Sequence, residues 1–373
     1  MEAKTEETVW LSERVRSLRP SGVRKIFDLA RKVRDPVDLS LGEPDFDIPE
    51  VIRDEGIRWI RKGFNKYTPS GGIPELREKI LRHLRDKGII CDDVIVTAGV
   101  TGGLLLALMV TLNPGDEIVI PDPYFVLYEY QTLLLGGKPV FFDTYPDFKI
   151  RETDLRGALS DKTRIILINT PNNPTGAVCS KEELDLVARV ARERSLLVFS
   201  DDVYDHFVFD RGDERTYLGG LYENTITFGG FSKNWGMTGW RLGYAAGPKA
   251  IIDSMVTMQQ YVFSSVNSIA QKAALVALDY DTTALIDDFR RKRDLIYDGI
   301  KERFRVVKPG GAFYVFPEAP GGDGDAFVER ALEKKLFIIP GSVFSGRKSH
   351  VRISFAAGEE AIRKGIELLN TLA

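Results

Sequence analysis

Six short apolar segments recur through the middle of the chain and constrain its fold more than any other feature. They lie at residues 94–96, 117–120, 139–142, 164–168, 196–199 and 226–228. Each is almost continuously apolar, without the alternation of a half-exposed strand, and helical patterns lie between them. Continuous hydrophobicity is typical of strands that are buried on both faces. We therefore predict an α/β fold, a mainly parallel sheet sandwiched by helices, over about residues 48–288.

The pattern then changes and predicts a second, smaller unit. One long helical stretch is expected at about residues 268–305, a glycine and aromatic segment follows at 310–316, and residues 351–355 alternate like a strand. Such a mixture is typical of an α+β domain. We place the large domain at 48–288 and a small C-terminal domain at 289–373. Within the large domain, Ser180 and Glu183 have the spacing of a capping box, which predicts a helix start.

The composition argues against several classes of protein. The 51 basic and 54 acidic residues give a net charge of −3, which lacks the basic excess of a nucleic-acid binder. Cys91 and Cys179 lie far apart and give neither a disulfide framework nor metal-ligand spacing. We therefore expect a cytoplasmic protein without a bound metal.

The chain also lacks the sequence signals of export and membrane insertion. Residues 1–14 are acidic and have no apolar core of a secretory signal. The longest apolar run, residues 104–110, is far shorter than the roughly 20 residues that span a bilayer. We expect a soluble protein.

Lys233 follows the apolar segment 226–228 and has the neighbours of a reactive lysine. Ser232 supplies a hydroxyl, Arg241 a guanidinium, and the glycines of residues 232–243 allow close approach of the backbone. A phosphorylated aldehyde cofactor requires these groups, which suggests a Schiff-base lysine for pyridoxal phosphate. Such a lysine must be partly uncharged, which burial and nearby cations can bring about. On these residues alone, a surface lysine with an Arg241 ion pair on the next strand is the alternative.

Polar residues follow three of the predicted strands, where ligands bind in an open α/β sheet. Residues 98–103 form a glycine-rich turn before an apolar helix, whose free N–H groups would favour phosphate. Residues 169–176 form an amide-rich loop stiffened by prolines, and 201–204 begin with two aspartates. Each has a structural alternative: tight packing, a rigid turn and a strand-end carboxylate that caps the next segment.

With these motifs, the chain resembles the class I pyridoxal-phosphate aminotransferases, in the subgroup of aspartate and aromatic aminotransferases of bacteria and archaea. The resemblance extends from Ser21 to about Leu369, and residues 232–243 and 173–176 are its most specific motifs. It implies a large domain that binds pyridoxal phosphate and a small domain formed from both chain ends. Residues 1–47 would then supply an N-terminal arm and the first part of the small domain.

The resemblance also implies the reaction. The enzyme would move the amino group between an L-amino acid and a 2-oxo acid by a ping-pong mechanism, through a Schiff base on Lys233. That lysine would then shuttle a proton as general base and acid.

By the same resemblance, several residues would contact the cofactor ring. Asn173 and Tyr204 would hydrogen-bond its phenolic oxygen, and Asp201 would keep its pyridine nitrogen protonated, because a nearby carboxylate favours the cation. Phe125 would stack on the ring. An ordinary core aromatic is the alternative for Phe125.

The cofactor phosphate would be bound by Arg241, Ser232 and the backbone N–H groups of Val100 and Thr101. A guanidinium suits this role because it can pair with two oxygens. Gly230 departs from the pattern, since many relatives carry a further phosphate-binding serine there. One hydrogen bond is therefore in doubt.

The substrate would be bound by Arg352, which takes the α-carboxylate in this family, with Asn173 and with the backbone of Gly42. On pattern alone, Arg352 could equally face solvent. Tyr67 matches a tyrosine that reaches the cofactor phosphate of the neighbouring subunit, which implies a homodimer with shared active sites. A tyrosine in a turn is the alternative for Tyr67.

The residues leave the preferred substrate open among aspartate, aromatic amino acids and a broad range. Residues 258–263 offer no arginine for a second carboxylate, and Thr101 stands where some bacterial aspartate enzymes have lysine. Arg24, Lys25 or polar contacts could serve instead. Tyr261 and Phe263 would suit an apolar pocket.

Three other functions compete. A pyridoxal-phosphate β-lyase on the same scaffold begins with the same proton abstraction. A metal-dependent hydrolase could use the four side chains of Asp201, Asp202, Asp205 and His206 as ligands, although Lys233 and Arg241 would then be unexplained. A transcription regulator would need a DNA-binding module, for which we expect no room before Ser21.

Overall fold

The structure is a computed structural model that describes residues 10–16, 22, 26, 29–210 and 215–373. Ser21, Arg24 and Lys25, on which the sequence analysis relied in part, lie outside the described residues. The strands are β1 (Val37–Asp38), β2 (Asp93–Thr97), β3 (Glu117–Asp122), β4 (Lys138–Asp143), β5 (Thr163–Asn169), β6 (Leu197–Asp201), β7 (Thr225–Gly230), β8 (Gly243–Gly247), β9 (Tyr314–Val315), β10 (Leu336–Phe337), β11 (Ile339–Pro340) and β12 (Val351–Ser354).

Helices flank these strands and connect them. They are α1 (Glu13–Arg16), α2 (Glu50–Arg61), α3 (Pro74–Asp86), α4 (Gly99–Thr111), α5 (Leu127–Leu134), α6 (Glu152–Gly157), α7 (Lys181–Glu193), α8 (Leu218–Leu221), α9 (Phe231–Asn234), α10 (Lys249–Val262), α11 (Ser268–Ala277), α12 (Thr283–Ile300), α13 (Gly324–Glu333) and α14 (Glu359–Leu372). Among the described residues, no helix has both the length and the apolar character needed to cross a bilayer.

Within the described residues, a seven-stranded sheet has the order β2-β8-β7-β6-β5-β3-β4. Strands β3 to β7 pair in parallel, and β8 is antiparallel to both of its neighbours. The prediction of a mainly parallel sheet sandwiched by helices is confirmed, and the six apolar segments correspond to β2 to β7. The sequence did not indicate β8, because this strand consists of Gly and Ala around one Tyr. A Cβ on Gly243 would lie 2.7 Å from the backbone N of Val100, so β8 must begin with a residue that has no side chain.

The capping box predicted at the start of α7 is confirmed. The Ser180 hydroxyl accepts a 3.2 Å hydrogen bond from the Glu183 N–H, and a Glu183 carboxylate oxygen accepts a 2.7 Å hydrogen bond from the Ser180 N–H. These two bonds satisfy N–H groups that the first turn of a helix leaves free. Helix α7 therefore begins directly after Ser180, the cap residue that the sequence predicted.

The single helical stretch predicted at 268–305 is wrong, because the chain forms α11 and α12 with a turn between them. The Asp281 carboxylate accepts hydrogen bonds from the Thr283 N–H and hydroxyl, at 2.9 and 2.6 Å. Aspartate and threonine favour such local bonds over a continuing helix. The apolar periodicity of both helices nevertheless runs through the turn, which made them look like one.

A second apolar core joins the two ends of the chain. Strands β11, β12 and β9 form an antiparallel sheet, and β1 pairs in parallel with β10. Val37 and Leu39 share this core with Phe337 and Ile353. Strand β12 is buried along its whole length because it lies between β9 and β11. The domain boundaries at 47 and 288 stay a prediction.

Candidate active site

A cavity of about 260 Å³ opens where β5, β6 and β7 end. Of the residues predicted to bind the cofactor or the substrate backbone, all except Tyr67 line it: Gly42, Val100, Thr101, Phe125, Asn173, Asp201, Tyr204, Ser232, Lys233, Arg241 and Arg352. The sheet therefore collects residues that are far apart in the sequence at one edge, as expected of an open α/β fold.

Lys233 lies in α9, directly beyond β7, and its Nζ donates a hydrogen bond to the backbone oxygen of Gly42. Burial lowers the pKa of the Lys233 amine to about 8. The carboxylate of Glu43 opposes this shift and the guanidinium of Arg241 assists it. At pH 7 roughly one Lys233 side chain in ten is then uncharged, compared with one in a few thousand for an exposed lysine. The lysine is thus prepared to act as an amine.

Asp201 ends β6 and is almost fully buried. One of its oxygens accepts a 2.7 Å hydrogen bond from the Tyr128 hydroxyl, and the other accepts a 3.2 Å bond from the Val203 N–H. Burial raises the pKa of the Asp201 carboxyl to about 6, and the bond from Tyr128 acts in the opposite direction. In the described part of the chain, no lysine or arginine forms an ion pair with Asp201. A cation supplied by a ligand would therefore find an unpaired carboxylate here.

An anion cradle lies where α4 begins. Ala98 gives this helix no side-chain cap, so the N–H groups of its first turn, including those of Val100 and Thr101, are available to a ligand. Gly99 has φ +71°, and a Cβ there would lie 2.8 Å from the Arg241 Nη2. The guanidinium thus occupies the space that only a glycine leaves free. Cation and helix N-terminus together favour a phosphate.

The glycine at position 230 is explained by the side chain of Val100. A Cβ on Gly230 would lie 2.9 Å from the Val100 Cγ2, closer than real Cβ atoms approach. A serine at position 230 would therefore require the Val100 side chain to shift. The packing of Val100 against Gly230 thus accounts for the glycine where many relatives have a serine.

Arg352 lies on β12 with only 1% of its surface exposed. Its Nη1 donates a 3.0 Å hydrogen bond to the Asn173 Oδ1, and its Nη2 donates a 2.8 Å bond to the Ser40 backbone oxygen. Its Nε has no hydrogen-bond partner, and no carboxylate among the described residues forms an ion pair with it. A buried guanidinium without a counter-ion is costly, so the arrangement fits a carboxylate brought by a ligand.

The remaining predicted residues complete the lining. The hydroxyls of Tyr204 and Tyr314 are 3.1 Å apart, and either can donate to the other. Phe125 also lines the cavity and packs edge-on against Tyr128, with ring centroids 5.8 Å apart.

Sequence reasoning missed part of the lining, namely Leu104, Leu127, Tyr128, Asn169, Val203, Thr238 and Tyr314. Asn169 had a usable signal, because it ends β5 and begins the amide-rich loop. Its side-chain amide donates to the Asp201 backbone oxygen and accepts from the Asn173 N–H, both at 2.9 Å. Tyr128 and Tyr314 carried no such sequence signal. Tyr128 lies within a helix, and Tyr314 lies within an apolar segment.

Some predicted residues lie elsewhere. Tyr67 is 89% exposed and lines a separate groove with residues 265–268. Tyr261 is 83% exposed, and neither it nor Phe263 lines the cavity.

The four-ligand set of a metal hydrolase is not assembled. Among the described residues, candidate ligand atoms of Asp205, His206 and His83 lie within 4.8 Å of one another, whereas Asp201 and Asp202 are not part of that group. The hydrogen bond from Tyr128 holds Asp201 in the cavity instead.

Comparison with known proteins identifies the family. The sequence matches the family described as "Aminotransferase class I and II" over residues 34–367. The chain belongs to this family. Its enzymes depend on pyridoxal phosphate, and this aminotransferase therefore uses that cofactor.

Similar proteins include both aspartate and aromatic enzymes. This aminotransferase is 38% identical to "Aromatic-amino-acid aminotransferase 2" of Thermococcus litoralis, over 96% of each chain. It is also 38% identical to "Aspartate aminotransferase" of Pyrococcus abyssi, again over 96% of each chain. Among solved structures, aspartate aminotransferase from Thermus thermophilus with maleate superposes with a TM-score of 0.93 at 36% identity and covers 97% of this chain and 99% of its own.

The cavity of this aminotransferase fits pyridoxal phosphate. The cradle at α4 and Arg241 suits a phosphate, the unpaired Asp201 carboxylate suits a protonated ring nitrogen, and the partly uncharged Lys233 suits an aldehyde.

Proposed function

We propose that this aminotransferase moves the amino group from an L-amino acid to a 2-oxo acid in two successive half-reactions, with the cofactor attached to Lys233. The observation that carries the proposal is that Lys233, Asp201 and Arg352 line one cavity. They are respectively an amine with a lowered pKa, an unpaired carboxylate and an unpaired guanidinium. Together they match the aldehyde, the ring nitrogen and the substrate carboxylate.

The side chains then have distinct tasks. When bound, pyridoxal phosphate supplies an aldehyde that condenses with the substrate amine and a protonated ring that withdraws electrons from the substrate Cα. Ionised Asp201 keeps the ring nitrogen protonated. Lys233 Nζ would take the proton from Cα as the general base and deliver it to C4′ of the cofactor as the general acid. Arg352 fixes the α-carboxylate, aided by Asn173 and by the backbone of Gly42.

We propose that Asn173 and Tyr204 donate hydrogen bonds to the phenolic oxygen of the cofactor, and that Phe125 stacks on its ring. Ser232 and Arg241, with the backbone N–H groups of Val100 and Thr101, would bind the phosphate. The cradle geometry at Gly99 supports the second assignment.

For the substrate, we propose an amino acid in the range from aspartate to aromatic. Leu104, Leu127 and Val203 give the cavity apolar surface. Among the described residues that line it, the cations are Lys233, Arg241 and Arg352, each already assigned a partner. The lining thus supports an aromatic or broad substrate range. Aspartate remains part of the proposal because several similar enzymes are named for it.

We also propose a cytoplasmic homodimer in which Tyr67 completes the active site of the neighbouring subunit. The ring of Tyr67 is 89% exposed, so a neighbouring subunit can reach it. Cys91 and Cys179 form no disulfide, in keeping with a reducing compartment.

The reaction can be tested with single half-reactions. The holoenzyme should lose its visible cofactor band with each accepted amino acid and regain it with a 2-oxo acid, whereas Lys233→Ala should do neither. Lys249→Ala, which removes an exposed lysine paired with Asp253, is the matched control and should retain activity. A coloured, active Lys233→Ala enzyme would contradict the proposal. Release of pyruvate and ammonia from L-cystathionine without a 2-oxo acid would indicate a β-lyase.

The shared site can be tested by mixing inactive variants. Chains carrying Tyr67→Ala and chains carrying Lys233→Ala, refolded together, should regain activity because one site of the mixed dimer is then intact. The mixture of Lys233→Ala with Arg241→Ala should not, since both side chains line the same cavity. Equal recovery in the two mixtures, or a monomer by light scattering, would contradict a shared site.

A further inference from the structure

His83, Asp205 and His206 form a second cluster of functional side chains, outside the residues that line the cofactor cavity. His83 lies on α3, and the other two follow β6. One ligand atom from each residue lies within 4.8 Å of the others. The proposed transamination uses none of the three.

The donor set matches what zinc-class ions prefer. Two imidazoles and a carboxylate are common zinc ligands, and ligand distances of about 2.1 Å place neighbouring ligand atoms roughly 3.4 Å apart. Closing the gap from 4.8 Å therefore requires side-chain movements of little more than about 1 Å. Such movements are within the range of rotamer adjustments.

The two histidines present free ring nitrogens. The Nδ1 of His206 lies 2.9 Å from the Thr282 hydroxyl, which orients the ring and leaves Nε2 free to coordinate. Among the described residues, no hydrogen bond occupies the ring of His83.

Asp205 is held by groups that a metal ion can replace or recruit. Lys87 Nζ donates to one carboxylate oxygen, and the Asn234 Nδ2 donates to the other at 2.7 Å. The Oδ1 of Asn234 has no hydrogen-bond partner although the residue is only 3% exposed. Beside the carboxylate there is thus a buried oxygen that lacks a partner, as expected where a water or a cation is bound.

We propose that His83, Asp205 and His206 bind one divalent transition-metal ion of the zinc class, which displaces the ammonium of Lys87 from Asp205. A water completes the coordination. His83 is partly exposed on α3 and gives the ion a route from solvent. Asn234 directly follows Lys233 in α9, so one hydrogen bond connects the bound ion to the segment of the cofactor lysine.

The test is a titration of the holoenzyme with Co²⁺ and Zn²⁺ in a buffer that does not chelate metals. The visible absorption of Co²⁺ and calorimetry with Zn²⁺ should both give one ion per chain. His83→Gln and His206→Gln should each weaken binding by at least about tenfold, because even the loss of a group that only orients a ligand costs about that much. Binding that is absent, or that survives both substitutions unchanged, would overturn the proposal.

A variant that keeps all three ligands provides an independent check. Lys87→Gln retains a hydrogen-bond donor to Asp205 but removes the competing charge, so it should strengthen metal binding by about tenfold. Lys79→Gln, on α3 with His83 but paired with Asp279, should leave the affinity unchanged. Unaltered or weaker binding in Lys87→Gln would overturn the proposed displacement, whether or not the histidine variants fold.

Discussion

The Nη1 of Arg352 donates a 3.0 Å hydrogen bond to the Oδ1 of Asn173. This bond joins the residue proposed for the substrate carboxylate to a residue proposed for the cofactor oxygen. Asn173 is fixed in turn, because its backbone N–H donates to the Asn169 side chain at 2.9 Å. The orientation of the two ligands in the cavity is therefore coupled through side chains of the protein.

Arg352→Ala should raise the KM for amino acids and lower kcat/KM by roughly 100-fold, because two charge-assisted hydrogen bonds are worth about 3 kcal/mol. The measurement is steady-state kinetics with a fixed 2-oxo acid. Arg291→Ala, in which an exposed arginine of α12 is removed, should behave as wild type. An unchanged KM in Arg352→Ala would argue against its role.

Tyr128→Phe should make the enzyme more sensitive to acid. The Tyr128 hydroxyl lowers the pKa of Asp201, which burial has raised to about 6. Removing the bond raises this pKa further, so Asp201 becomes protonated at a higher pH and stops supporting the ring nitrogen. The acid limb of kcat/KM against pH should move up by about one pH unit.

Tyr145→Phe is the matched control for Tyr128→Phe, because the Tyr145 hydroxyl bonds Ser345 and does not line the cavity. Its acid limb should stay in place. A downward shift in Tyr128→Phe, or the same shift in both variants, would count against the proposed path from Tyr128 to Asp201.

Gly99→Ala should weaken retention of the cofactor. The Cβ would meet the Arg241 guanidinium at 2.8 Å, and φ +71° costs a non-glycine residue about 1 to 2 kcal/mol. Loss of the guanidinium contact should speed release of the cofactor during dialysis by roughly tenfold. Arg241→Ala should have a similar effect on release without the backbone cost.

Gly157→Ala is the comparison for Gly99→Ala, since a Cβ at Gly157 meets nothing within 4 Å. It should leave both thermal stability and cofactor release near the wild-type values. If Gly99→Ala released its cofactor no faster than Gly157→Ala, the cradle would be assigned incorrectly.

Gly230→Ser should destabilise the apoprotein unless Val100 is shortened at the same time. The serine Cβ would overlap the Val100 Cγ2, and overpacking of this kind costs about 1 to 3 kcal/mol. In the double variant with Val100→Ala, the space is restored and the new hydroxyl can bind the cofactor phosphate. Thermal unfolding of the four proteins of this cycle should show a favourable coupling; strictly additive effects would contradict the packing explanation.

The strands of the large sheet could be predicted because burial on both faces leaves a nearly continuous apolar signal. Strand β8 gave no such signal, since the close approach of α4 requires Gly243. The break between α11 and α12 was missed for the opposite reason. There a polar turn at Asp281 interrupts two helices whose apolar periodicity continues.

Residues of the site that directly follow a strand could be found by reading the strand ends, as for Asp201 and Lys233. Contacts made across the fold could not. The bond from Tyr128 to Asp201 joins a helix to a distant strand, and His83 of α3 comes close to His206, which follows β6, only in the folded chain. No local pattern records such distances.

The Arg352 side chain is held by the Ser40 oxygen, a bond between residues 312 positions apart, whereas the phosphate cradle lies between residues 99 and 243. The substrate end of the cavity therefore depends on contacts between the two ends of the chain, whereas the phosphate end depends on the large sheet. If mild denaturant unfolded the segments around Ser40 and Arg352 first, the protein would retain its cofactor absorbance but would no longer bind amino acids. Catalytic activity should thus be lost at a lower denaturant concentration than the bound cofactor.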